Sequence, residues 1–454
     1  MSTEFSQLPL STVLLDNIKT LGYTQMTPIQ EQSLPPILEG RDVIAQAKTG
    51  SGKTLAFGLG VLEHLHVKTF RIQALLICPT RELASQVAGE LRRMARAMHN
   101  VKILELCGGA PMKKQIHSLS HKAHIVVGTP GRLLAHLQRG TLSLEHLHTL
   151  VLDEADRMLD MGFYDDIAAI IDYAPTKRQT LLFSATFSSE IHQLAQKFLH
   201  HAAEIHVKHE PLDSQITEHF YRVSEASRQK ALFALLGHYQ KERILIFCNT
   251  KVACDTIADT LYESGIDALA MHSDLEQFER EETLILFANG SCNILVATDV
   301  AARGLDIDAV DLVLNYELPH DDEVYVHRIG RTGRADRAGV SVSLCRGDES
   351  VLETKKPVLW QTLDTLDVST PYNVPVHMET LFICGGKKEK LRPGDIVGAL
   401  TADSNISADA IGNITIFDKY TYVALRKHLA PTALELLQKH PIKGRMFRVR
   451  QLKI

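Results

Sequence analysis

The sequence predicts an α/β protein: two similar domains, each built on a parallel sheet covered on both faces, with a small α+β domain after them. Three observations predict it. Short apolar, β-branched runs alternate with helical stretches from residue 43 to 186. The same rhythm returns between residues 244 and 344. After residue 377 the order changes to strand, helix, strand, strand, helix, strand. Runs that are apolar throughout suit strands buried on both faces, and strands separated by helices pair in parallel.

In the first region the runs are Val43–Ala47, Ala74–Cys78, Ile103–Cys107, Ile125–Gly128, Leu150–Asp153 and Leu181–Ser184. In the second they are Ile244–Cys248, Ala268–Met271, Ile294–Ala297, Leu312–Asn315 and Val340–Leu344. A polar stretch over 208–216 reads as a linker, so the first domain spans 1–207. The second spans 217–368, and a linker with two Pro covers 369–377. In the tail, 378–454, Thr380–Cys384 is a strand and Pro393–Leu400 a helix opened by Pro. Asn413–Phe417 and Thr421–Arg426 are strands about a turn, Pro431–Gln438 is a helix and Met446–Leu452 a strand. That order is the ferredoxin-like arrangement, shared by RNA-recognition domains.

Net charge is −5, but residues 376–454 hold 13 Lys+Arg against 7 Asp+Glu. A basic tail on an acidic body is the asymmetry expected of an RNA tether. The seven Cys are scattered without CxxC spacing. They suggest neither a zinc site nor a redox dithiol, and they fit a reducing compartment. The first residues, MSTEFSQLPLS, lack the basic start and apolar core of a signal peptide. No apolar run reaches the ~18 residues of a membrane helix. The expectation is a cytoplasmic protein with no membrane partner.

Ala47, Lys48, Thr49, Gly50, Ser51, Gly52, Lys53 and Thr54 follow the first strand and open a helix. Gly50 and Gly52 let backbone N–H groups turn inward around phosphate oxygens. Lys53 would meet the β- and γ-phosphates, Thr54 would offer its hydroxyl to Mg2+, and the helix adds its positive end. Downstream, the apolar run Leu150–Leu152 ends in Asp153 and Glu154. Asp153 would hold Mg2+ through its water shell, and Glu154 would orient and deprotonate the attacking water. Acids gather at helix N-termini for electrostatic reasons alone. That does not explain acids at the end of a buried strand that follows a phosphate loop. The cofactors expected are ATP and Mg2+.

Asp153-Glu154-Ala155-Asp156 resembles the name motif of the DEAD-box RNA helicases, and further motifs follow in that family's order. Gly22–Gln30 resembles its adenine-reading segment, with Phe5 at the upstream spacing. Ser184-Ala185-Thr186, Ala297–Asp306 and His327–Arg334 resemble three more. The resemblance covers residues 5 to 345 and implies two RecA-like domains with RNA-stimulated ATP hydrolysis. It implies that Gln30 reads the adenine edge and Tyr23 stacks on it, and that Phe5, Gly304 and Asp306 belong to the nucleotide site. Ser184, Thr186 and His327 would couple hydrolysis to strand separation. Arg331 and Arg334 would be arginine fingers, neutralising charge on the transferred phosphoryl group. Three apart, they could share one helical face.

A single strand can be gripped through its backbone alone. Candidates are Pro79, Thr80 and Arg81, then Gly108 and Gly109, then Thr129, Gly131 and Arg132, each group following a strand. Each also resembles a family RNA contact, as do Arg280 and Thr298 in the second domain. His272-Ser273-Asp274 departs from the family, which commonly has Gly in the middle.

In the tail, Tyr420, Tyr422 and Val423 match the base-stacking strand of an RNA-recognition domain, while Leu425 replaces its last aromatic. Strand alternation turns Arg448 and Arg450 away from Phe447 and Val449. With Lys387, Lys388, Lys390, Lys443 and Arg445 they could form one phosphate-binding surface. The residues leave open whether RNA meets the sheet face or this basic edge. Gly385–Ile396 and Ile442–Arg445 resemble the tail domain of a bacterial branch of the family. That resemblance implies a target, a hairpin of large-subunit ribosomal RNA near the peptidyl-transferase centre, and ribosome assembly intermediates as partners.

The reading is a monomeric, non-processive RNA helicase. An ATP-gated RNA clamp would share the same motifs, and a strand-displacement assay separates the two. A DNA helicase is opposed by the adenine-reading segment and the RNA-type tail.

Overall fold

The computed structural model describes residues 4–47, 50–207, 216–299, 310–333, 338–346, 360–363, 366, 370–402 and 406–452. Lys48, Thr49, Gly304, Asp306 and Arg334 lie outside the described residues, as does 208–215. The chain divides into two compact units, 1–209 and 210–454.

The first unit holds a sheet of seven strands. These are β1 (Val43–Gln46), β2 (Ala74–Ile77), β3 (Ile103–Leu106), β4 (Ile125–Gly128), β5 (Thr149–Asp153), β6 (Gln179–Ser184) and β7 (Ala203–His206). All pair in parallel, in the order β3-β4-β2-β5-β6-β1-β7. One face packs on Phe57, Val87 and Leu91, the other on Leu133, Ile170 and Leu194, which is why β2, β4 and β5 are apolar at nearly every position. β7 escapes the sequence reading because it is an edge strand, and its Ala-Glu-Ile-His is mostly outside the core.

The second unit repeats the plan. Its strands are β8 (Ile216–Arg222), β9 (Ile244–Cys248), β10 (Ala268–Met271), β11 (Ile294–Thr298), β12 (Leu312–Asn315), β13 (Gly339–Cys345) and β14 (Trp360–Gln361). They pair in parallel in the order β10-β11-β9-β12-β13-β8-β14. β8 and β14 were not legible, since β8 mixes Thr, Glu and His into its apolar positions and β14 has two residues. In both sheets the parallel pairing brings all the carboxyl-end loops to one edge, where open α/β sheets bind ligands.

The tail forms an antiparallel sheet of β15 (Met378–Ile383), β16 (Ile411–Ile416), β17 (Thr421–Arg426) and β18 (Val449–Gln451), ordered β16-β17-β15-β18. This is the expected ferredoxin-like arrangement. The helices Pro393–Thr401 and Ala430–Lys439 cover one face through Ile396, Leu400, Ala433 and Leu437. The other face carries Phe382, Tyr422 and Leu452, which pack on Leu286 of the helix Gln277–Ala288 in the second α/β domain. The segment leading into the tail lies along that domain too. The Tyr372 hydroxyl donates to the Lys241 carbonyl at 2.8 Å, and Asn293 Nδ2 donates to the Val374 carbonyl at 3.0 Å. Among the described residues no helix is long and apolar enough to cross a membrane.

Candidate nucleotide and nucleic-acid site

The phosphate loop leaves β1 and passes through Gly50 and Gly52, at φ 81° and 92°, into the helix Lys53–Glu63. Ala47 donates its N–H to the Ser184 carbonyl at 2.8 Å, which fixes the loop to the end of β6. Inside the loop, Lys53 Nζ lies 2.8 Å from Asp153 Oδ1 and 3.5 Å from Glu154 Oε1, all three side chains being buried. Burial opposes the Lys53 charge, but Asp153 and Glu154 outweigh it and hold the ammonium above its ordinary value. Burial pushes the Asp153 carboxyl up, with Lys53 pulling against it. Neither Asp153 oxygen has a well-aligned hydrogen-bond donor among the described residues. A buried carboxylate beside Lys53 and the phosphate loop suits the water shell of a divalent cation, and Thr54 stands at the head of the adjoining helix.

Glu154 sits at φ 55°, ψ 55°, a left-handed backbone unusual for a residue with a side chain. Strain of that kind gathers at functional sites. Its carboxylate is bridged: Oε1 faces Lys53, and Oε2 accepts from Arg157 Nη1 at 2.7 Å. Asp156, the last letter of the motif, is turned toward β6. Its Oδ2 accepts the N–H groups of Ala185 at 2.9 Å and Thr186 at 3.1 Å. The strand-end acids and the Ser184–Thr186 segment are therefore one bonded assembly.

The segment Gly22–Gln30 closes the loop from the other side. Gln30 begins near the head of the helix Pro28–Leu38, where Oε1 accepts the Thr27 N–H at 2.9 Å. Its Nε2 donates to the Gly52 carbonyl at 3.0 Å, and Thr27 Oγ1 donates to the Ser51 carbonyl at 2.8 Å. A side chain at position 52 would strike Gln30, so the contact requires glycine. Phe5 is buried in the first core and Tyr23 packs on its margin.

Three loops at the carboxyl ends of β2, β3 and β4 are joined. Gly109, at φ 75°, lies under the Arg81 guanidinium, in a backbone conformation that favours glycine. Arg132 Nη1 donates to the Ala110 carbonyl and to Gln115 Oε1, both at 2.8 Å. Thr80 caps the helix Arg81–Met94 by accepting the Leu83 N–H at 3.3 Å. Pro79 is buried behind them, and Thr129 precedes the helix Pro130–Gln138 that carries Gly131.

In the second unit Thr298 ends β11 and is buried, Arg280 lies half-buried on the helix Gln277–Ala288, and His327 lies on the helix Asp322–Ile329. That last helix ends before Arg331, so Arg331 sits in the following turn instead of on the expected helical face, and it is buried. His272 is buried and pairs with Asp255 at 2.8 Å.

The tail's basic residues separate into two places. Lys387 and Lys388 lie on a turn that Lys390 closes at φ 61°, and Lys443 and Gly444 make a second turn at φ 52° and 74°. Lys443 Nζ donates to the Lys390 carbonyl at 3.1 Å and lies 3.5 Å from Asp395 Oδ2. This joins the turns into one exposed basic edge with Arg445. Arg448 is exposed on the approach to β18. Arg450 goes elsewhere: its guanidinium lies over the Phe382 ring at 4.7 Å and pairs with Glu282 at 3.4 Å, in the contact with the second domain.

Two important groups carried no assigned role in the sequence reading. Asp156 and Arg157 brace Glu154 and its neighbours; the available signal was that Asp156 closes the four-letter motif and Arg157 follows it directly. Arg328 is 1% exposed. It makes a two-pronged contact with Asp299, at 2.6 and 2.7 Å, and donates to Asn249 Oδ1 at 2.7 Å and the Glu317 carbonyl at 2.5 Å. The carboxyl ends of β9, β11 and β12 are thereby tied together.

A phosphate loop with paired acids, basic loops beside it, a second sheet of the same build and a basic tail define a nucleotide-driven enzyme that works on nucleic acid. Comparison with known proteins gives the class. Residues 27–194 match the DEAD/DEAH box helicase family, 227–336 the helicase conserved C-terminal domain, and 380–451 the DbpA RNA binding domain. The chain belongs to the DEAD-box ATP-dependent RNA helicases, in the group whose two RecA-like domains are followed by a DbpA RNA binding domain. It is 49% identical to ATP-dependent RNA helicase DbpA of Escherichia coli (strain K12), across 99% of this chain and 100% of that one. It is 36% identical to DbpA of Bacillus subtilis (strain 168), across 98% and 99%. Among solved structures, S. cerevisiae Dbp5 bound to RNA and ADP BeF3 is similar at a TM-score of 0.72 and 29% identity, over 80% of this chain and 96% of that one.

Proposed function

We propose that this helicase melts short duplexes in large-subunit ribosomal RNA during ribosome assembly, and that its tail selects the RNA through the basic edge of Lys387, Lys388, Lys443 and Arg445. One observation carries the choice of edge over sheet face: Phe382 and Tyr422 pack against Leu286, so the aromatic face is engaged within the protein. The basic turns stay exposed, and the bond from Lys443 to the Lys390 carbonyl holds them together.

In the core, Lys53 neutralises the β- and γ-phosphates of ATP, leaving Asp153 for the water shell of Mg2+ with Thr54 as the second anchor. Mg2+, when bound, supplies charge neutralisation at the phosphates. Glu154, braced by Arg157, orients and deprotonates the attacking water. Arg331 adds positive charge to the transition state, with Arg334 as its partner. The Gln30 amide exchanges the Gly52 carbonyl for the adenine edge, with Tyr23 stacking on the base and Phe5 behind it. Gly304 and Asp306 complete the nucleotide set. The strand runs over Arg81, Gly109, Thr129, Gly131 and Arg132, and over Arg280 and Thr298, held by its backbone. Asp156 carries the state of the phosphate site to Ser184 and Thr186, and His327 does so from the second domain.

Crosslinking the protein to cellular RNA and sequencing the captured fragments tests the target. Fragments concentrated in one region of large-subunit ribosomal RNA are expected; an even spread over messenger RNA would contradict the proposal.

A further inference from the structure

The catalytic loops occupy the carboxyl edge of the first sheet, yet a cavity of about 460 Å³ opens on the opposite edge, where Thr149 and Gln179 begin β5 and β6. At about 3.3 Å per residue, those strands set it roughly 13–17 Å from Asp153 and Ser184. His64, His66, His148, Lys177 and Arg178 line it, and no carboxylate does among the described residues. The Asp42 carboxylate, which is close enough to act on Arg178, is committed to the backbone. It accepts the N–H of Thr180 at 2.7 Å and of His200 at 2.6 Å.

Part of this cationic lining has a structural duty. Arg178 Nη1 donates to the Pro175 carbonyl at 2.8 Å and its Nη2 to the Phe198 carbonyl at 3.5 Å, and His64 Nε2 lies 3.4 Å from the Ile37 carbonyl. The rest does not. His66 and His148 are exposed, with rings 6.2 Å apart and edge to face, and Lys177 is exposed beside them. Two imidazoles and an ammonium around a concave space make an acceptor-seeking set. The volume suits a small molecule.

We propose that this cavity is a second ligand site, separate from the ATP and RNA sites, for the phosphate group of a small phosphate monoester. His66, His148 and Lys177 hold the phosphate oxygens, and the Arg178 guanidinium charge stands behind them.

The test uses the full chain with its ATP site filled by ADP and Mg2+. The imidazole Cε1–H signals of His64, His66 and His148 are assigned through single His→Gln variants. They are then followed by NMR as inorganic phosphate, ribose 5-phosphate or a short single-stranded RNA is added. Saturable shifts at these histidines with phosphate and ribose 5-phosphate are expected. In Lys177→Glu both should bind about fivefold more weakly, the scale of one partly exposed charge, while RNA-stimulated ATP hydrolysis stays unchanged. Absence of saturable shifts, identical binding in Lys177→Glu, or shifts produced by RNA but not by the small phosphates would each overturn the proposal.

Discussion

The Tyr420 hydroxyl donates to a Glu281 carboxylate oxygen 3.0 Å away, and that bond joins the tail to the second RecA-like domain. The Tyr422 hydroxyl makes the same kind of bond to Glu282 at 3.4 Å. Asn289 Nδ2 donates to Thr380 Oγ1 at 3.0 Å, and Phe278 packs edge-on to Tyr420. Burial, then the Glu281 carboxylate, holds the Tyr420 phenol above its ordinary value, so it stays a donor throughout the physiological range. Glu281 and Glu282 stand next to Arg280, a proposed RNA contact, on the same helix.

If this contact is what positions the tail, Leu286→Ala should loosen it. Leu286 is buried between Phe382, Tyr422 and Leu452, and losing such a side chain costs about 2–5 kcal/mol. NMR relaxation should show the tail amides tumbling faster in the variant, with the tail's own fold intact. Unchanged tumbling would mean that the contact is incidental.

Glu154→Gln should leave ATP binding intact and reduce turnover by at least ~10²-fold, the scale of a lost general base. Gln keeps the shape and still offers an oxygen to Arg157, so the loss is assignable to chemistry. Steady-state hydrolysis at the wild-type rate would remove Glu154 from its role.

Asp156→Ala tests the connection to β6. It deletes the acceptor shared by the Ala185 and Thr186 amides, and bonds to a charged acceptor contribute about 1.5–3 kcal/mol each. Strand displacement per ATP hydrolysed should fall, beyond any loss in hydrolysis itself. A variant that hydrolyses less ATP but displaces as much strand for each one would contradict the coupling.

His124 gives a prediction in pH. Its Nδ1 accepts the Lys102 N–H at 3.1 Å and its Nε2 lies 3.0 Å from the Val67 carbonyl, an arrangement that needs the neutral ring. Burial is the main cause that lowers its pKa below the ordinary 6.5. A depressed value means that the folded state resists protonation. The stability from this site is therefore present above pH 6.5 and is lost as pH falls below it. Thermal melts of His124→Asn should show a lower Tm at pH 7.5 and a smaller further drop toward pH 5.5 than the wild type. Equal acid sensitivity in both would rule His124 out as a contributor.

The phosphate loop and the strand-end acids were legible because their chemistry is local: a few consecutive residues, placed between a strand and a helix. The inner strands were legible because burial on both faces leaves an uninterrupted apolar run. What escaped depends on partners distant in the chain. Tyr420 and Tyr422 sit two apart across the start of β17, and nothing in their own segment names Glu281 and Glu282, 139 and 140 residues away. Arg328 reads as one more arginine in a basic motif until Asp299 and Asn249 are brought around it.

The claim that the tail's basic edge selects the RNA is tested most directly by reversing its charge in the full chain. Lys387→Glu, Lys443→Glu and Arg445→Glu are combined, and ATP hydrolysis is measured with the large-subunit hairpin and with a scrambled RNA of equal length. All three residues are exposed and outside the tail core, so the domain should stay folded. The wild type should be activated at far lower concentrations of hairpin than of scrambled RNA. In the variant that preference should disappear, with hydrolysis retained at high concentrations of either RNA and with a shallower dependence on salt, because fewer phosphate counterions are displaced. A variant that still discriminates as sharply as the wild type would place selection elsewhere and contradict the account.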